Sequence, residues 1–162
     1  MSAAGVGYAA AVALAAIFAI AAVAKLRDVA ATEREFLGLG LPRASFFARF
    51  IPLVELSIVL LLLIVPPAGA IAALISLAFF TTFLIGRLRA GVRAPCACFG
   101  AAKAKPISTL DVFRNLGMIL LAILSLGTEK PTPISLLDAL VVAGSIAAVG
   151  VLLRLAGKVR TQ

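Results

Sequence analysis

The sequence predicts an all-α integral membrane protein: one domain over residues 1–162, built as a bundle of four core transmembrane helices plus a fifth C-terminal helix. Three observations lead there. The chain is 63% hydrophobic and 14% charged, whereas soluble domains run at about half apolar and a quarter charged. Residues 3–24 and 56–86 carry no charge at all, enough for one crossing and, if the second run breaks in the middle, two more. The basic residues stand at the ends of apolar runs, where they anchor to phosphate headgroups.

Each span has its own punctuation. The first helix is expected over residues 4–24, rich in Ala and Gly so that neighbouring backbones approach closely, with Lys25 and Arg27 marking its end. Its apolar stretch exceeds the ~7 to 15 residues of a secretory h-region and has no basic stretch before it, so it reads as a retained helix. Thr32 and Glu35 have capping-box spacing ahead of Phe36, Leu37, Leu39 and Leu41, which predicts a short interfacial helix ended by Gly38, Gly40 and Pro42.

The second span is expected over 44–65, bent at Pro52, with Glu55 one turn further on. Pro66, Pro67 and Gly69 supply the break. The third span is expected over 68–86, closed by Arg87, Arg89 and Gly91 at the negative end of its dipole. After a polar segment, Ser108 and Asp111 repeat the capping-box spacing and open a fourth span to residue 127. Ser135 and Asp138 repeat it again before a fifth apolar segment through residue 155.

The net charge is +8, from fifteen Lys and Arg against seven Asp and Glu. No basic stripe with interleaved aromatics accompanies it, which argues against nucleic acid and leaves the lipid bilayer as the partner. Five basic residues fall in 25–49, six in 87–114, three in the tail from Arg154, and one, Lys130, elsewhere. Five crossings with the N-terminus outside put all but Lys130 on the cytoplasmic side. The polar segment 92–107 is then cytoplasmic.

That segment holds both cysteines, in Pro95-Cys96-Ala97-Cys98-Phe99-Gly100, with Arg93, Lys103 and Lys105 nearby. Neighbouring cations favour the thiolate, the form that attacks disulfides and binds soft metals. Thiols one residue apart close into a small strained ring, suited to exchange rather than stapling. Three uses stay open: inert reduced thiols, redox exchange between Cys96 and Cys98, and binding of a soft metal such as Cu(I) or Hg(II). A lone Cys-x-Cys lacks the second pair of a zinc site, and no resident metal is assigned.

The chain has no histidine, which removes His-ligated metals and Ser-His or Cys-His pairs. Glu55 is the candidate for proton handling, since an ionisable group inside a span is costly; the alternative is an ion pair with Arg114 or Lys25. Arg114 and Asn115 can pack across the bundle or hold a quinone carbonyl or lipid headgroup. Phe79, Phe80 and Phe83 have helical spacing, read as lipid-facing or core, and are assigned no chemistry.

Lys25-Leu26-Arg27-Asp28, Gly38-Leu39-Gly40-Leu41-Pro42, Pro52-Leu53-Val54-Glu55, Cys96-Ala97-Cys98-Phe99-Gly100 and Arg114-Asn115 together resemble the MauE/DoxX family of redox-associated membrane proteins, over roughly residues 18–127. The most specific piece is Cys-x-Cys-Phe-Gly followed by Arg-Asn at the start of the next helix. The methylamine-utilisation member of that family is implicated in maturing a disulfide-rich periplasmic dehydrogenase subunit alongside a thioredoxin-like partner.

The resemblance implies thiol redox traffic at the bacterial plasma membrane. Cys96 and Cys98 match the family's cysteine pair, and Lys25, Glu55, Arg114 and Asn115 its recurring polar positions. The fifth apolar segment exceeds the family's four-helix core. The charge rule favours a cytoplasmic pair, which rests reduced and takes in electrons, whereas a periplasmic pair acts as an oxidant or exchange partner. A cytoplasmic pair cannot carry electrons across the membrane alone, so a quinone, a partner protein or a conformational change is then required. The leading expectation is a thiol-disulfide oxidoreductase. Soft-metal transport and a non-catalytic membrane assembly subunit are the alternatives.

Overall fold

A computed structural model describes residues 3–92, 95–96 and 105–128. Cys98, the expected fifth helix and its Ser135/Asp138 cap lie outside the described residues. The described chain forms α1 (Ala3–Arg27), α2 (Val29–Gly38), α3 (Ala44–Ile64), α4 (Pro66–Arg89), β1 (Pro95–Cys96), β2 (Lys105–Pro106) and α5 (Thr109–Leu126). Four of these, α1, α3, α4 and α5, are long and apolar enough to cross a membrane. The four-helix core expected from the sequence is present.

Helix α1 is the centre of the bundle. It packs on α2, α3, α4 and α5, and 61% of its span is buried, against 22% for α5. Its small side chains permit this: Ala11, Leu14, Ala15 and Ala19 form the core with Ile58, Leu62, Ala73, Leu77, Met118 and Ala122. Gly7 lets α5 approach, since a Cβ there would stand 2.8 Å from Thr128 Oγ1 and 3.0 Å from the Leu124 carbonyl oxygen. The outward faces are equally apolar. On α4 the ridge Ile71, Ile75 and Phe79 is exposed, and on α5 Leu110, Phe113, Leu120 and Ile123 are. Contiguous apolar surface of this kind requires lipid around it.

The boundaries depart from expectation at two places. The start of α2 is capped by Asp28, whose Oδ1 accepts from Ala31 N at 2.8 Å, and not by Thr32. Thr32 is buried one turn inside the helix and its hydroxyl donates back to the Asp28 carbonyl at 3.1 Å. A carboxylate one turn earlier took the capping role that the Thr-x-x-Glu spacing advertised. The break between α3 and α4 is a single residue, Val65, because Pro66 and Pro67 occupy the first helical positions, where a missing N–H costs nothing. Gly69 then lies within α4, and a Cβ there would meet Leu62 N at 2.3 Å. The tight hairpin exists because that position has no side chain.

Pro52 lies inside a continuous α3. The glycine endings and the second capping box hold. Gly40 (φ 74°) and Gly91 (φ 70°) end α2 and α4 in the left-handed conformation. In both, the following N–H bonds five residues back, Leu41 to Phe36 and Val92 to Arg87, the double-bonded ending that favours glycine. Asp111 Oδ2 accepts from Ser108 N at 2.9 Å, closing the box at the start of α5.

A second core, of Phe36, Leu39, Ala44, Ala48, Leu84 and Ile107, joins α2, the start of α3, the end of α4 and the approach to α5. Arg87 reinforces it, donating to the Gly40 carbonyl at 3.1 Å and lying 5.2 Å from the Phe83 ring centre. Among the described residues, the basic end of α1, α2, the start of α3 and the basic end of α4 therefore gather at one end of the bundle.

Candidate functional site

Lys25 is the pivot of the site. It belongs to the last turn of α1, and being 6% exposed it cannot extend to the headgroups. Its Nζ donates to Glu55 Oε1 at 2.7 Å and approaches the Ala21 carbonyl at 3.5 Å. Of the two partners open to Glu55 in the sequence, Lys25 is therefore the one engaged. Both side chains are withdrawn from the surface, 7% and 12% exposed, so this is a desolvated pair. The other carboxylate oxygen, Oε2, is buried and has no hydrogen-bond donor among the described residues.

Asn115, 2% exposed in the second turn of α5, donates through Nδ2 to Thr81 Oγ1 at 3.2 Å, and the Thr81 hydroxyl donates to the Leu77 carbonyl at 2.6 Å. Arg114 is exposed on the adjacent face.

Lys25, Glu55 and Asn115 share a cavity of about 470 Å³, walled also by Thr32, Glu35 and Phe36 of α2. The volume is that of a small-molecule site, and the composition, apolar with a few polar groups, is typical of one. Seven of the ten phenylalanines line it, Phe79, Phe80 and Phe83 among them. Phe50 and Phe79 are 47% and 77% exposed on the outer surface, so the cavity reaches the lipid face between α3 and α4.

Arg114 is not part of the cavity wall. Ser76 and Thr81 were not singled out in the sequence; polar residues inside apolar helices are the signal that marks them, while Thr32, read there as a helix cap, lines the wall. The aromatic trio carried no such signal, because lipid-facing and cavity-facing phenylalanines share one spacing.

Cys96 lies in β1, which pairs antiparallel with β2 in the register Pro95 to Pro106 and Cys96 to Lys105. This strand packs on α2. The cysteine segment and the cavity thus flank the same short helix, and the backbone of Lys105 lies directly across from that of Cys96.

An apolar exterior, four spans and a desolvated ion pair beside a lipid-accessible cavity define a multi-pass helical protein of the membrane. The profile of the family described as methylamine utilisation protein MauE matches residues 3–128. The chain belongs to the MauE family, and it is a multi-pass bacterial membrane protein. The methylamine utilization protein MauE of Paracoccus denitrificans is 33% identical over 95 residues, 56% of this chain and 51% of that protein. The chain thus spans about half the length of this curated relative. No solved structure matches it.

Proposed function

We propose that the protein is a thiol-disulfide redox component of the bacterial plasma membrane, in which Cys96 and Cys98 cycle between dithiol and disulfide in exchange with a thioredoxin-like partner. The observation that carries this reading is the β1–β2 pairing, which holds the Cys96 backbone opposite Lys105 at the basic end of the bundle. A cationic surrounding raises the thiolate fraction, and the thiolate is the attacking species. When the chain acts as oxidant, a partner thiolate attacks one sulfur of the Cys96–Cys98 disulfide, and the partner's second thiol displaces it. The partner leaves oxidised by two electrons, and both cysteines leave as thiols.

Glu55 serves the cycle through its second oxygen, Oε2, as a proton acceptor, while Lys25 holds Oε1. Asn115 fixes the facing helix and Arg114 stands beside it for a polar ligand group. The charge pattern favours a cytoplasmic cysteine end, where the pair rests reduced and the exchange runs toward taking in electrons; the oxidant direction belongs to a periplasmic pair. The name of the Paracoccus relative extends the proposal to methylamine utilisation as its setting.

Mass-tagging the thiols after dithiothreitol and after oxidant tests the reading. Cys96 and Cys98 are expected to lose and regain reactivity together. A pair that never oxidises overturns it, and stoichiometric retention of Cu(I) by such a pair assigns it to soft-metal binding instead.

A further inference from the structure

We infer that the cavity between α1, α3, α4 and α5 is a binding site for a lipid-soluble quinone and its quinol. The inference deepens the redox reading and rests on it for the electron balance. Oxidation of two thiols to a disulfide releases two electrons and two protons, and reduction of a quinone to a quinol consumes two of each. A quinone dissolved in the bilayer closes that balance without a further reactant.

The geometry points to this class over a hydrocarbon chain. An acyl chain offers no polar atom, yet the wall presents an ammonium, a carboxylate and a carboxamide at Lys25, Glu55 and Asn115. A buried carboxylate oxygen without a donor is costly, and Glu55 Oε2 has none among the described residues. A quinol hydroxyl is the donor it lacks. The Asn115 amide, which gives one N–H to Thr81, has a second suited to a quinone carbonyl. Phenylalanine rings suit a flat ring, which packs against them by offset stacking or edge contact.

Access fits as well. The exposed Phe50 and Phe79 stand where the cavity meets lipid, so a membrane-dissolved ligand enters sideways from the bilayer. Helix α2 contributes Thr32, Glu35 and Phe36 to the wall and carries β1 against it, so the cavity and the strand that holds Cys96 share one short helix.

The test is equilibrium binding of a decyl-benzoquinone and its quinol to the full chain in phospholipid nanodiscs. Saturable binding of one ligand per chain, not displaced by decane, is expected. Ser76→Phe, which puts a ring into the cavity, is expected to weaken it about tenfold. Ile75→Phe, next to it on the lipid face, is expected to leave it unchanged. Glu55→Gln turns the acceptor toward a donor, so quinol affinity is expected to fall while quinone affinity holds.

Absence of saturable binding overturns the inference. Equal displacement by decane overturns it too, because the cavity is then a hydrocarbon site. Both measurements use the unaltered chain, so they decide even where a variant fails to fold. Quinone binding by a protein whose thiols never oxidise sustains the pocket and removes the redox reading, which separates the two failures.

Discussion

Lys25 and Glu55 show how much a single pair of residues commits a membrane bundle. Removing two charges from water is expensive, and the attraction between them repays it only with close geometry, here 2.7 Å. Losing one partner strands the other in an apolar interior. Lys25→Met or Glu55→Leu alone should therefore destabilise the bundle by about 3–5 kcal/mol, and the double replacement by less than either. Thermal unfolding of the four proteins in one detergent checks this; equal and additive losses would show the two side chains acting independently. That Glu55 has a partner was legible from its place in a span. The choice of Lys25 over Arg114 was not, because it depends on where α1 ends relative to α3.

At the scale of elements, the α3–α4 hairpin depends on one missing side chain. Gly69→Val should drive the helices apart and lower the unfolding temperature, since any Cβ there falls 2.3 Å from Leu62 N. Gly86, in the same helix, has nothing within 4 Å of its Cβ position. Gly86→Ala should leave the protein unchanged or more stable by about 0.4–1 kcal/mol, through loss of unfolded-chain freedom. The same unfolding measurement separates the pair. Spans and breaks were readable because uncharged length, glycine endings and the Ser108–Asp111 box are local signals. The cap of α2 misled, since Asp28 and Thr32 both meet the local rule and only tertiary burial of Thr32 decides between them. Pro66 and Pro67 looked like a gap between helices because a proline pair halts one helix as readily as it starts the next.

Across the described molecule, α2, the β1–β2 pair and the basic ends of α1 and α4 form one end, with the α3–α4 turn at the other. In a chain with Cys96 and Cys98 replaced by serine, cysteines at the exposed positions 34 and 68 report the two ends. A membrane-impermeant maleimide applied to intact cells should label position 68 and spare position 34. The reverse pattern would put the cysteine segment outside and exclude cytoplasmic donors. The cavity escaped sequence reading because four long helices and α2 each contribute only a part of its wall, and no one stretch of chain carries the pattern. The one-residue turn at Val65 has a further effect during biosynthesis. Two spans so joined cannot be threaded through the bilayer separately, because no slack exists to let the first settle before the second follows. They must enter lipid together as a folded pair, and a protease on either side of the membrane finds no extended strand between them to cut.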